Sequence, residues 1–312
     1  MNNSDKPLMR SCQNDADYWL IRNFLRDVFW INKRLEHSWS VMRFDYMRWH
    51  MIETCRLFES LEKVTVLWQT SDNSIVAVLH PICQAEIRLH IHPHFRTKEL
   101  ENEMIAYAEE HFSGQNEEGR RVLIIPVFSD DTLRQEVLIQ RGYSMQAGGG
   151  YHRYRNLDSL LPVVLPPPGF EIRTMGTENE YPSRTWASWR AFHSDEPASN
   201  YDHDFSWYNN IQTAPLYRRD LDLVAVHNNE VVSFCTIFYD DYTRSAVTVV
   251  VGTASEFWRL GLAKAVITEG MHRLKSVGCT RVFATATEEP AKALYASVMN
   301  EMKVTDTWYK EL

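Results

Sequence analysis

Apolar and polar positions alternate along the chain in a layout that occurs twice. In the first half three apolar runs, Val64–Trp68, Ile75–His80 and Ala85–His92, are separated by turn residues, with Ser71, Asp72 and Asn73 marking a hairpin. The second half answers with Leu221–His227, Val231–Tyr239 and Ala246–Val251, joined through Asn228 and Asn229 and then through Asp240–Thr243. Each third run leads through a short loop with an aromatic and an arginine, Phe95 and Arg96 or Phe257–Arg259, into a long helical pattern. The later helix is predicted over Gly261–Val277. Its packing face is Leu262, Val266, Ile267, Met271 and Leu274, and Gly278 is its stop. A strand at Arg281–Ala286, a helix opened by Pro290 and a last strand at Val304–Tyr309 complete the half. Ahead of the runs, Arg10, Tyr18 and Phe29 recur at one constant interval as Arg173, Tyr181 and Phe192.

Between the halves lies Leu160–Gly169 (LLPVVLPPPG), whose three successive prolines withhold amide donors and favour an extended connector. The expected division is a domain over 1–159, a proline-rich linker over 160–168 and a domain over 169–312. A length of 312 residues supports two cores rather than one. Composition then narrows the function classes. With 44% apolar and 24% charged residues the chain has the makeup of a folded globular protein. A net charge of -8 gives no electrostatic basis for holding nucleic acid or an anionic membrane. The start, Met1–Arg10, lacks the pattern of a signal peptide, and no run has the length of a membrane span, so a cytoplasmic protein is expected. The five cysteines, Cys12, Cys55, Cys83, Cys235 and Cys279, form no metal or redox spacing and are read as reduced thiols.

Candidate chemistry concentrates at Trp258-Arg259-Leu260-Gly261-Leu262-Ala263, where a loop enters a helix with small residues at two spaced positions. The first turn of a helix offers unpaired N–H groups and the positive end of its dipole, so such a turn suits an anion.

The strand, this R/Q-x-x-G-x-G/A-like turn, the helix and the downstream Ala293-Leu294-Tyr295 resemble the GNAT superfamily of acyl-CoA-dependent N-acyltransferases, over Gly169–Leu312. The resemblance implies an α+β fold of two tandem GNAT-like domains. Each has a mixed, mostly antiparallel twisted sheet flanked by helices. It further implies acetyl-CoA (acyl-CoA) as co-substrate, with no metal. The pyrophosphate is expected on the amides of Arg259, Leu260, Gly261, Leu262, Ala263 and Lys264. The pantetheine arm is expected along the backbone of Val251 and Thr253, with a donor near Thr253 stabilising the oxyanion. The hydroxyl of Tyr295 is expected to protonate the departing thiolate, a role for which a phenol is suited. The acceptor is an amine of unspecified identity. A second reading is a binding or structural protein that keeps the fold without catalysis.

Three departures from the family pattern stand out: Trp258 replaces Gln or Arg, Glu289 lies near a frequent Asn, and Met299-Asn300 replaces Gly-Phe. Val249 occupies a position often held by a basic glutamate. His193, Glu196, Asp204, Asp240 and Asp241 are the other candidate bases, the last two more simply turn formers.

The first half resembles the same fold but aligns Glu99 with Gly261, Glu101 with Ala263 and Leu138 with Tyr295. Carboxylates facing a pyrophosphate repel it by about 1–4 kcal/mol, so this half is expected to bind no coenzyme A. His90, His92 and His94 share one strand face and are read as a solvated face. Trp186, Trp189 and Phe192 are read as core, and Gly148–Gly150 as a turn into the strand Tyr151–Arg155.

Overall fold

A computed structural model describes residues 6–146 and 149–312. In chain order its first half contains β1 (Leu8–Ser11), α1 (Asp15–Ile31), α2 (Val41–Tyr46), α3 (Leu61–Val64), β2 (Val66–Gln69), β3 (Ile75–Cys83), β4 (Glu86–Ile91), α4 (Lys98–His111), β5 (Gly114–Gln115), β6 (Arg121–Phe128), α5 (Thr132–Gln140) and β7 (Ser144–Gln146). There follow β8 (Tyr151–Asn156), β9 (Glu171–Thr174), α6 (Tyr181–Phe192), α7 (Trp207–Thr213), β10 (Tyr217–His227), β11 (Glu230–Asp240), β12 (Ser245–Thr253), α8 (Leu262–Ser276), β13 (Arg281–Ala286), α9 (Glu289–Ala296) and β14 (Glu301–Glu311).

The chain forms two compact units. The first runs to Tyr151 and takes in Lys303–Leu312; the second is His152–Met302. This corrects the expected division at residues 159 and 169 in two ways. The last strand does not stay with the half that precedes it: β14 pairs antiparallel with β6 and β7, and Trp308 is buried in the first unit's core. The proline-rich segment is also no free connector, because it lies within the second unit. Its prolines leave carbonyls in want of donors, and side chains of α8 supply them: His272 Nε2 sits 2.9 Å from Pro162 O and Lys275 Nζ donates to Ser159 O at 2.8 Å. Leu161 is buried in the second core, while Leu160, Val163 and Leu165 remain exposed.

The first unit orders its strands β1-β2-β3-β4-β6-β14, and the second β8-β13-β12-β11-β10-β9. Two neighbouring pairs are parallel, β4 with β6 and β12 with β13, while β1–β2, β2–β3, β3–β4, β6–β14, β9–β10, β10–β11 and β11–β12 are antiparallel. A two-residue turn closes the β10–β11 hairpin where the sequence placed it. Asn228 and Asn229 both adopt positive φ (49° and 64°), the conformation that matches the twist of a tight hairpin.

The recurring residues are one structural device used twice. Arg10 on β1 donates to both oxygens of Asp17 in the first turn of α1 (2.7 and 2.6 Å), and Gln13 N donates to the same carboxylate at 2.8 Å. In the second unit Arg173 on β9 holds Glu180 just ahead of α6 (3.0 and 2.5 Å), and Gly176 N donates to it at 3.0 Å. An acidic group at the start of a helix also meets the positive end of the dipole. Behind this clamp, Tyr18 and Tyr181 are buried in their respective helices.

Each sheet carries helices on both faces. In the second unit Leu221, Leu223, Cys235 and Ile237 turn one way, onto Leu262, Val266 and Met271 of α8. Alternate residues turn the other way, toward α6 and α7, because side chains alternate along a strand.

Candidate functional site

The site in the second unit begins where two parallel strands part. β12 and β13 pair at Ser245–Arg281, Ala246–Val282 and Val247–Phe283, and the pairing ends there. At the same level the β11–β12 register slips. Thr236 faces Val250 and Ile237 faces Thr248, so Val249 is an extra, bulged residue. Beyond the bulge, Ala254 N donates to Val232 O at 2.9 Å, which sets the alternation of this antiparallel pair. Gly252 and Val250 turn their peptide groups to β11, whereas Val251 and Thr253 turn theirs to the open side. The two residues expected to face a pantetheine arm thus lie beyond the last β12–β13 pair. One acceptor is already engaged, however: Trp258 Nε1 donates to Thr253 O at 2.7 Å.

The turn that follows is held from three sides. Arg190 of α6 donates to Ser255 Oγ at 3.1 Å and pairs with Glu256. Phe257 packs edge-on against Phe170 at 5.9 Å. Trp258 anchors the third side. The chain then passes through Arg259 (φ 65°) and Gly261 (φ 80°), both left-handed, into α8. A Cβ on Gly261 would meet open space, so glycine is favoured here by conformation and not by lack of room. No side chain caps α8 and no acidic residue lies in its first turn. Its leading N–H groups, at Leu262, Ala263 and Lys264, are therefore presented without a competing side-chain acceptor. Arg259 and Lys264 add positive charge.

The first unit shows the opposite design at the matching turn. Thr97 Oγ1 caps α4 by accepting from Leu100 N at 3.2 Å. Glu101 does not face outward as its alignment implied. It is fully buried, taking Arg96 Nε at 2.7 Å and Arg134 Nε at 2.8 Å, while Arg96 also reaches both oxygens of Asp131 at 2.7 Å. Glu99 is exposed, and Leu138 is buried in the core. The charges at this turn are paired with one another.

Tyr295 lies on α9, 7% exposed, within the core cluster that also holds Ala286, Val298 and Met299. The candidate bases scatter. Asp240 accepts from Thr243 N and Oγ1 at a turn, Asp204 accepts from Ser206, Glu196 accepts from Asn200, and His193 stacks on Trp189. The Trp186 and Trp189 rings are not core. They stack on each other at 5.6 Å, partly exposed, and Phe192 is exposed, because the packing face of α6 is instead Arg184, Ala187, Ser188 and Ala191. His90 is likewise no solvated residue: it is buried with His80, their Nε2 atoms 3.0 Å apart. Of Gly148–Gly150, Gly148 lies outside the described residues.

Sequence reasoning missed a buried polar group beneath α6. Asp222 accepts from Thr236 Oγ1 at 2.8 Å, from Tyr217 OH at 2.9 Å and from Tyr208 OH. Arg184, fully buried, lays its guanidinium over the Phe234 ring at 3.5 Å, and its nitrogens have no hydrogen-bond partner among the described residues. Burial, then the Asp222 charge, pushes the Tyr208 and Tyr217 hydroxyls far above the usual phenol range. A charged residue at an apolar position of the α6 pattern was the available signal. Among the described residues no group of three or more His, Cys, Asp or Glu could hold a metal, and no helix is long and apolar enough to cross a membrane.

Comparison with known proteins agrees with this fold. The model of the acetyltransferase (GNAT) family matches residues 184–299. Among solved structures the chain is similar to a GCN5-related N-acetyltransferase from Sphaerobacter thermophilus (TM-score 0.64, 18% identity, 98% of this chain and 95% of that one). It is equally similar to a tandem GNAT protein from the clavulanic acid biosynthesis pathway (TM-score 0.64, 14% identity, 98% of each chain). A GNAT-family acetyltransferase from Colwellia psychrerythraea also matches (TM-score 0.61, 12% identity, 97% of this chain and 100% of that one). No curated protein sequence matches. Residues 184–299 thus match the acetyltransferase (GNAT) family model, and the chain as a whole has the fold of the tandem GNAT structures.

Proposed function

We propose that the second unit transfers an acetyl group from acetyl-CoA to a primary amine, and that the first unit binds no coenzyme. The observation that carries this reading is the uncapped start of α8 behind Gly261, beside an open strand edge at Val251 and Thr253. A pyrophosphate would be held by the amides of Arg259–Lys264, and the pantetheine arm by the backbone of Val251 and the N–H of Thr253. The amine attacks the thioester directly. Charge developing on the thioester oxygen is met by a backbone donor of β12 near Thr253, and Tyr295 supplies the proton to the thiolate. The ion pairs that fill the corresponding turn of the first unit support its exclusion of coenzyme.

The burial of Tyr295 supports the second reading, in which acyl-CoA binds without turnover. Release of free thiol from acetyl-CoA over a panel of primary amines separates the two. Catalysis predicts turnover that falls by on the order of 100-fold in both Gly261→Glu and Tyr295→Phe, the first through lost coenzyme binding and the second at saturating coenzyme. Absence of turnover with every amine, alongside intact coenzyme binding, would leave the silent reading. Unchanged rates in both variants would refute the site.

A further inference from the structure

Trp258 does something the other residues of its turn do not. Its indole is 50% exposed, yet its one polar atom is fixed, with Nε1 donating to Thr253 O at 2.7 Å. That bond spans the segment Ala254–Phe257 and ties the end of β12 to the residue just before two left-handed positions, Arg259 at φ 65° and Gly261 at φ 80°. Arginine in the left-handed region is strained, so the turn needs outside support to keep its shape. Such support is present on both flanks: Arg190 bridges to Ser255 and Glu256 on one side, and Phe257 packs on Phe170 on the other. Trp258 adjoins Arg259 directly in the chain.

Resting on the reading of this turn as the coenzyme cradle, we propose that Trp258 is a positioning residue that pre-organises the cradle through its N–H bond to Thr253. The bond has a second consequence. It occupies the Thr253 carbonyl, so an arm lying along β12 finds its acceptor at Val251 and its donors at Val251 and Thr253. Binding energy that would otherwise order the turn is then kept for the ligand.

The test compares wild type with Trp258→Phe, which keeps an aromatic ring and removes the N–H, and with Trp258→Ala. Coenzyme A is titrated by calorimetry, and acetyl-CoA kinetics are measured on any amine that turns over. Both variants are expected to bind coenzyme A about ten-fold more weakly, the scale of one hydrogen bond. The KM for acetyl-CoA should rise by the same factor with kcat unchanged, and the melting temperature should stay that of wild type, because the side chain is half exposed. Wild-type affinity in Trp258→Phe would overturn the inference while leaving the donor site standing. A fall in kcat with KM unchanged would overturn it too. Failure of the wild-type chain to bind coenzyme A would overturn the donor-site reading itself, and this inference with it.

Discussion

His80 and His90 form a buried relay of hydrogen bonds. Trp39 N donates to His90 Nδ1 at 3.2 Å, so the His90 proton sits on Nε2 and points at His80 Nε2, 3.0 Å away; the His80 proton is then on Nδ1, directed at Pro81 O at 3.1 Å. The chain is complete only when both rings are neutral. Burial holds His80 down to about 4 and His90 well below the ordinary value near 6.5, with the nearby Arg88 adding to both. Unfolding therefore takes up protons between those values, and stability falls as pH drops from about 6.5 toward 4. Thermal unfolding of the wild type should show this slope, and the double variant His80→Leu with His90→Leu should flatten it even if its stability at neutral pH is lower. An identical slope in the double variant would mean that other groups carry the acid sensitivity. The alternation of His90, His92 and His94 was legible in the sequence, but the partner on the neighbouring strand was not, because no local pattern pairs His80 with His90.

At the scale of elements, α6 and β12 meet through Gly252. A Cβ there would lie 2.4 Å from Phe234 Cζ and 3.0 Å from Ala191 Cβ, and the Phe234 ring is itself pinned beneath the Arg184 guanidinium. Gly252→Ala should therefore cost about 1–3 kcal/mol by overpacking. A lowered melting temperature together with weaker coenzyme A binding checks this, and an unchanged melting temperature would contradict it. The strands, the α8 face and the Gly278 stop were readable because each is a local pattern of period or turn chemistry. The parting of β12 from β13 and the bulge at Val249 were not, since strand registers depend on partners distant in sequence. Nor was the capture of the Thr253 carbonyl by Trp258, although the tryptophan itself stood out. The outward stack of Trp186 and Trp189 was hidden by the same limitation: helical spacing names a face without saying which way it points.

For the whole molecule, the two units share one plan and differ in what fills it. The repeated clamp, Arg10 with Asp17 and Arg173 with Glu180, preserves the plan, while the turn before the main helix is open at Gly261 and closed by Glu101, Arg96 and Arg134 in the first unit. That contrast was half legible: the acidic residues at 99 and 101 marked the first unit as different, but Glu101 acts from inside the core rather than by facing a ligand. The division of the chain was the least legible feature, because β14 follows the second unit in sequence and completes the sheet of the first. From the contrast between the two turns we expect a single donor site per chain, in the second unit. Calorimetric titration of the full chain with acetyl-CoA tests it most directly. One site per chain, lost in Gly261→Glu, is the expected result; two sites, or one that survives Gly261→Glu, would overturn the assignment.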